Sequence, residues 1–188
     1  MRKIGLCITG SFCTFANLLK AVDDLVDADF DITPVFSFNV ASLDTRFFKQ
    51  ADFENIIIQK TGKQPIKSIV EAEKIGAKSG LELMLVAPCT GNTLAKLASG
   101  ITDTPTTMAT KACLRNNLPV VLSVSSNDSL GANAQNIGRL LNVRNMFFVP
   151  FKQDAPNAKP NSLIADTSLI LPTVNLALEG KQFQPVIL

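Results

Sequence analysis

The 188-residue chain contains no histidine, no tryptophan and no tyrosine. Without histidine it cannot build a Ser-His-Asp or Cys-His nucleophile system, an imidazole-ligated zinc site or an imidazole general base. Any reaction here must use carboxylates, amines, backbone dipoles or a bound cofactor. Charge is sparse as well: 18 Lys and Arg stand against 16 Asp and Glu, a net +2. No basic run of the kind nucleic acid requires is present, so that partner is not expected. Cysteine is limited to Cys7, Cys13, Cys89 and Cys113. None forms a CxxC pair, and reduced thiols in or beside core elements are expected. Long apolar runs are missing too. Nothing approaches the roughly 20 residues of a membrane helix, and the opening MRKIGLCITG has too short an apolar core for a signal peptide, so a cytoplasmic protein without membrane contact is expected.

What is there is a core-forming composition, 46% hydrophobic residues in a length that suits one domain over residues 1–188. The stretch from Leu81 to Gly100 organises it. Leu81 to Ala87 is an unbroken apolar run, which reads as a strand covered on both faces and stopped by Pro88. From Thr93 the spacing changes, and Leu94, Leu97, Ala98 and Ile101 form the stripe of a helix lying on that sheet. Between them sit Cys89, Thr90, Gly91, Asn92 and Thr93, small groups at the carboxyl end of a strand, where open α/β sheets hold ligands.

The rest of the chain alternates in the same way. Lys3 to Thr9 reads as a strand, Gly10 to Thr14 as a turn, and Phe15, Leu18, Leu19, Val22, Leu25 and Val26 as one face of a helix. Such a strand, Gly-Ser turn and helix points backbone N–H groups at a phosphate; with one glycine instead of GxGxxG, a single phosphate is favoured over a pyrophosphate. The second strand, Asp31 to Phe38, ends in Ser37, Phe38 and Asn39, with no acid to hold an adenosine ribose, which favours a mononucleotide over NAD.

Asp44 to Gln59 reads as helical, and Ile66 to Gly80 as a short extended piece followed by a polar helical turn. Thr104 and Pro105 open a helix to about Asn116. Pro119 to Val124 is a further strand, delivering Ser123, Ser125, Ser126, Asn127 and Asp128 to the same edge. Ala134 to Asn142 returns as a helix, and Met146 to Val149 is a last short strand. Pro150 to Ser162 reads as a long surface loop, and a final helix capped by Asn161 or Ser162 runs to Glu179 with a kink at Pro172.

The pattern predicts a single-domain Rossmann-like (flavodoxin-like) α/β fold, a doubly wound parallel sheet of five or six strands with helices on both faces. Any one of the polar turns would by itself be a helix cap. Four of them along one edge suggest a ligand with a phosphate and a polar planar ring.

At these residues the chain resembles a known family. ITGSFC (Ile8 to Cys13), APCTGNTLAKLASGITD (Ala87 to Asp103) and SVSSND (Ser123 to Asp128) are similar to the flavoprotein family of FMN-binding cysteine decarboxylases and flavin prenyltransferases. The resemblance implies FMN as cofactor, with Gly10, Ser11 and Ser37 at its phosphate and Cys89, Thr90, Asn92 and Thr93 at the isoalloxazine edge. Phe12 and Ser125, in the same turns, complete the implied set. Asn127 stands where the decarboxylases bind a substrate carboxylate.

Where those decarboxylases carry a catalytic histidine, counting back from Pro88 gives Lys74, so cysteine decarboxylation is not expected. Thr107 and Asn127 stand where prenyltransferases carry an arginine and a glutamate. VPFKQDAPNAKPNS (Val149 to Ser162) and TKACLRNNLPVVLSVSSNDSLG point instead to one component of a two-component oxidative synthase. That implies a small dicarboxylate substrate, a homo-oligomer (a trimer or multiple of it) and a second, pyridine-nucleotide-binding protein as partner. A dianion needs cationic donors, and Arg46 is the candidate carried forward, with Lys111, Arg115 and Lys152 as further cations. A non-catalytic flavin-binding scaffold is the competing reading.

Overall fold

The computed structural model describes residues 1–75 and 79–188; the end of the Ile66 to Gly80 stretch, at residues 76–78, lies outside them. The strands are β1 (Arg2–Ile8), β2 (Phe30–Phe36), β3 (Leu83–Cys89), β4 (Val120–Ser126), β5 (Met146–Phe148), β6 (Phe151–Gln153) and β7 (Leu163–Ala165). The helices are α1 (Phe15–Asp27), α2 (Phe38–Ser42), α3 (Gln50–Thr61), α4 (Ile69–Glu73), α5 (Gly91–Ala98), α6 (Pro105–Leu114), α7 (Ala134–Leu141) and α8 (Ile170–Leu178).

Strands β2, β1, β3 and β4 lie side by side in that order, all parallel, and β5 continues the parallel sheet along the first residues of β4. Every residue of β3 is buried, as the unbroken apolar run requires of a strand with helices on both faces. On one face α1 packs against α3 and α8, and on the other α6 packs against α4 and α5, with α5 against α7. The core on the α1 face is aromatic. Phe15 and Phe53 stack with centroids 4.2 Å apart, and Phe12, Phe36 and Phe48 close around them. The expected doubly wound, flavodoxin-like class is thus the observed one.

The sheet is mixed, however, because the stretch read as a surface loop is a hairpin. β6 pairs antiparallel with β7, and β7 pairs antiparallel with the end of β4 through Ser125 and Ser126. Three-residue strands carry too little alternation to be legible in sequence. The last helix consequently begins later than Ser162. A single 3-10 turn (Thr167–Leu169), capped by Asp166 accepting from Ser168 N, leads into α8. Pro172 then falls in the first turn of α8, where no N–H partner is lost, and the expected kink has no cause.

Two other boundaries shift for local reasons. The helix read from Asp44 starts at Gln50, because the Asp44 carboxylate accepts from Gln50 N at 2.9 Å and Thr45 Oγ1 accepts from Phe47 N and Phe48 N. Residues 38–42 form the short α2, capped by Ser37 Oγ. Strand β3 also runs through Pro88 to Cys89 across a cis Ala87–Pro88 bond. In the stretch after Pro65, Ile66 bridges Val35 and Ser68 caps α4. Among the described residues no helix is long and apolar enough to cross a membrane.

Candidate functional site

The strand order reverses between β1 and β3, so the chain leaves their carboxyl ends in opposite directions and opens a crevice there. Thr9 staples the two ends together. Its hydroxyl donates to Pro88 O at 2.6 Å and accepts from Thr90 N at 3.0 Å, which fixes the Gly10 turn against the Thr90 turn. Thr9 is 1% exposed and was not singled out in the sequence, since nothing in a strand-end threonine announces a partner 79 residues away.

Two adjoining clefts share Gly10 and Thr90. The cleft on the β2 side, about 280 Å³, is lined by Thr9, Gly10, Ser37, Phe38, Asn39, Thr90, Asn92, Thr93, Lys96, Thr104 and Thr106. The cleft on the β4 side, about 320 Å³, is lined among others by Ser11, Cys13, Ser125, Ser126, Asn127, Asp128, Asp154, Lys159 and Ser162. Their volumes lie at the lower end of the range for small-molecule sites, and their linings are more polar than is usual for such sites.

Of the residues singled out in the sequence, Gly10, Ser37, Thr90, Asn92 and Thr93 meet in the β2-side cleft, and Ser11, Ser125 and Asn127 in the β4-side cleft. Ser11 Oγ and Ser125 Oγ hydrogen-bond at 2.7 Å, although 114 residues separate them. Phe12 lines neither cleft; it packs its ring on Phe15 and lies 3.3 Å from where a Cβ on Gly10 would stand. Cys89 is wholly buried beneath the Thr90 turn, and burial pushes its thiol far above the ordinary thiol range. Arg46 is exposed, with its guanidinium 4.8 Å from the Phe47 ring centroid, and lines neither cleft. Lys111 and Arg115 line a separate groove with Leu97, Ile101 and Leu114, while Lys74 and Lys152 are exposed.

Local chemistry accounts for the shape of each wall. Thr90 caps α5, its hydroxyl accepting from Thr93 N and bonding Thr93 Oγ1 at 3.1 Å. Thr104 caps α6 in a reciprocal capping box with Thr107, which is fully buried. On the β4 side a polar chain braces the loop. Ser126 Oγ donates to Asp128 Oδ1, Asn133 Nδ2 donates to Asp128 Oδ2 at 2.7 Å, and Asn136 Nδ2 donates to Asn133 Oδ1 at 2.9 Å. This chain rests directly on Gly91. A Cβ there would lie 2.5 Å from Ser126 Oγ, 2.6 Å from Asn133 Nδ2 and 2.7 Å from Asp128 Oδ1.

The charges divide between the clefts. Lys96, on α5, faces the β2-side cleft and pairs with Asp103 at 2.8 Å, and this hydrogen bond holds the Asp103 carboxyl below its usual range. The β4-side cleft is lined by Asp128, Asp154 and Lys159. Lys159 and Asp154 pair at 2.8 Å, which raises the lysine above its usual range. Asp128 is among the residues that the sequence delivers to this edge, whereas Lys96 and Lys159 are not singled out there. For Lys96 a signal existed, because it follows Asn92 and Thr93 by four and three residues and so shares their helix face.

A cofactor with a phosphate and a planar heterocycle fits this donor set. Hydroxyls, amides and the two ammonium groups of Lys96 and Lys159 suit a phosphate and ring carbonyls, and no group with metal-site spacing is found among the described residues.

Comparison with known proteins agrees with that chemistry. The model of the family described as Flavoprotein matches residues 1–169. The chain is 45% identical over 186 residues to the B subunit of dipicolinate synthase of Bacillus subtilis (strain 168), covering 99% of this chain and 93% of that protein. The crystal structure of the dipicolinate synthase B subunit from Bacillus halodurans C superposes with a TM-score of 0.91 at 41% identity, covering 100% of this chain and 96% of that one. The FMN-dependent cysteine decarboxylase SpaF shares the fold, with a TM-score of 0.70 at 17% identity over 95% of each chain.

Proposed function

Since the chain belongs to the Flavoprotein family, we propose that it is the FMN-binding subunit of a dipicolinate synthase, oxidising a dihydrodipicolinate-type precursor to pyridine-2,6-dicarboxylate in the cytoplasm of a sporulating bacterium. It would work with the A subunit of that synthase, a pyridine-nucleotide-binding protein, and as a homo-oligomer. The observation that carries this reading is the identity to the B subunit of that synthase along nearly the whole chain.

Bound FMN would supply the hydride acceptor, so the chemistry needs no histidine. The chain's own residues have the remaining tasks. The resemblance puts Ser11 at the phosphate and Asn92 and Thr93 at the ring, but Gly10, Ser37, Thr90, Asn92 and Thr93 share the β2-side cleft and would hold the phosphate end, with Ser11 and Ser125, in the β4-side cleft, toward the ring. Cys89 is packing beneath that edge, because a fully buried thiol has neither access nor thiolate character. Asn127, whose Oδ1 accepts from Ser162 Oγ at 3.4 Å, would orient a substrate carboxylate with its amide N–H groups. The β6–β7 hairpin supplies the outer wall of that cleft and would limit water at a bound ring.

A prenyltransferase role has less support. Thr107, at the place of that enzyme's arginine, is buried in the α6 cap and carries no charge to pair with the phosphate of a second substrate.

The visible spectrum of the purified protein tests the reading. Flavin bands are expected, bleached by dithionite and bleached again by the dihydro substrate when the pyridine-nucleotide-binding partner is present. A colourless protein that does not take up FMN overturns the proposal. Flavin bands indifferent to substrate, with that partner present, replace it with the scaffold role.

A further inference from the structure

We infer that Lys96 is the counter-ion of the cofactor phosphate, handed over from Asp103, and that the phosphate therefore occupies the β2-side cleft with the ring extending toward β4. This rests on the FMN reading above and adds to it an orientation and a positioning residue.

The first support is the division of charge. A phosphate monoester carries about −1.5 to −2 at neutral pH. Asp128 and Asp154 both line the β4-side cleft, and its lysine is already tied to one of them. The β2-side cleft has Lys96 and no carboxylate among its lining residues. The lining of the first thus carries two carboxylates and one ammonium and that of the second one ammonium alone, so a dianion gains by moving from the first to the second.

The second is the asymmetry of the Lys96–Asp103 pair. The Lys96 side chain is 22% exposed and reaches the cleft, whereas Asp103 is 57% exposed and is not among the cleft residues. Gly100, at φ +70°, ends α5, and Ile101 N donating to Lys96 O at 2.8 Å turns the chain back so that Asp103 meets Lys96 from outside. An exposed carboxylate can give up its partner to water at little cost. A phosphate offers more acceptor oxygens and more charge, so it outcompetes that carboxylate for the same ammonium.

The third is the set of donors around Lys96. Ser37 Oγ accepts from Val40 N at 3.4 Å, which leaves its own proton free to donate. Thr104 and Thr106 are hydrogen-bonded to each other at 3.1 Å, and Thr90 to Thr93. Their hydroxyls can rotate, but they carry no charge, and the ammonium has to supply it.

Equilibrium titration of flavin-free protein with FMN and with riboflavin, which lacks the phosphate, separates this proposal from the reading beneath it. Lys96→Met is expected to weaken FMN binding about 10-fold or more and to leave riboflavin binding unchanged. Asp103→Asn is expected to strengthen FMN binding by roughly two- to five-fold, again without effect on riboflavin. A pair that serves only to hold α5 would instead weaken both ligands in both variants. Should Lys96→Met fold poorly, the sign of the Asp103→Asn effect and loss of the FMN-over-riboflavin preference at high salt in the unaltered protein decide the matter.

The proposal falls if Lys96→Met affects both flavins alike or neither, if Asp103→Asn weakens FMN binding, or if Lys159→Met is the variant that abolishes the preference for FMN. Unaltered protein that binds riboflavin as well as FMN also overturns the phosphate role alone. Protein that binds neither overturns the flavin reading itself.

Discussion

Gly91→Ala is the most exacting test of the site's construction, because the residue has an ordinary helical position and its need for hydrogen is purely one of space. It opens α5, one residue after the Thr90 cap, with Ser126 Oγ, Asn133 Nδ2 and Asp128 Oδ1 all crowding the place of a methyl group. Each of these atoms could move alone. Together they cannot, since Ser126 and Asn133 both donate to Asp128, and Asn133 in turn accepts from Asn136.

Asn133 and Asn136 are 5% and 8% exposed, so water does not readily replace a lost bond. Leaving one such amide unsatisfied costs about 1–3 kcal/mol, and the overpacking costs about as much again. A total of roughly 2–6 kcal/mol lowers the melting temperature by on the order of 10 °C in a chain of this size. Differential scanning calorimetry of Gly91→Ala reads the loss directly. In an Asp128→Ala background the same substitution should cost much less, because the shared acceptor is gone and the other two side chains can turn away. A Gly91→Ala protein that melts with the unaltered one, or a cost undiminished in the Asp128→Ala background, refutes the packing argument.

Three further outcomes follow from the structure. In the native protein at pH 8, Cys13 alone should react rapidly with a disulfide reagent: Cys7 and Cys89 are buried with thiols held far above their usual range, and burial pushes Cys113 up to about 12. Mass spectrometry of the labelled peptides checks this, and fast labelling of Cys89 would contradict its placement. The Asp103 carboxyl, held down by its hydrogen bond from Lys96, should titrate by NMR below the ordinary carboxylate range. A depressed folded-state value means the pair's contribution is present above the ordinary range and is lost as pH falls through the folded one. In Lys96→Met the titration should return to ordinary values. Phe53→Ala, which removes the ring stacked 4.2 Å from Phe15, should cost about 3–5 kcal/mol in urea unfolding, and a loss under about 1 kcal/mol would mean the aromatic cluster is not a packed core.

Much of the site was legible in the chain because it is made of turns between strongly patterned elements. Leu83 to Ala87 and Val120 to Leu122 are apolar runs whose ends announce where polar residues will gather, and Thr90 and Thr104 are recognisable helix caps. The choice of Arg46 as the cation near the ligand had no such basis. A cation's reach depends on the path of the segment that carries it, and the 43–49 turn keeps Arg46 on Phe47 at the surface. Lys96 was the better choice by helix phase, yet its pairing with Asp103 depends on the left-handed turn at Gly100. The hairpin at 151–165 reads as a loop in the sequence because its strands are three residues each and draw their stability from the edge of β4.

By itself, then, the sequence determined the class of fold, the edge at which the polar turns collect, and the exclusion of imidazole chemistry. These follow from periodicity, from caps acting over three or four residues, and from composition. Only the tertiary structure decided that the turns form two clefts of different charge, that Thr9 and the Ser11–Ser125 bond join them, and that a polar chain settles on Gly91. Those arrangements set groups 35 to 114 residues apart against one another. The free energy of such contacts depends on the complete packing of the sheet, and no local pattern in the chain encodes it.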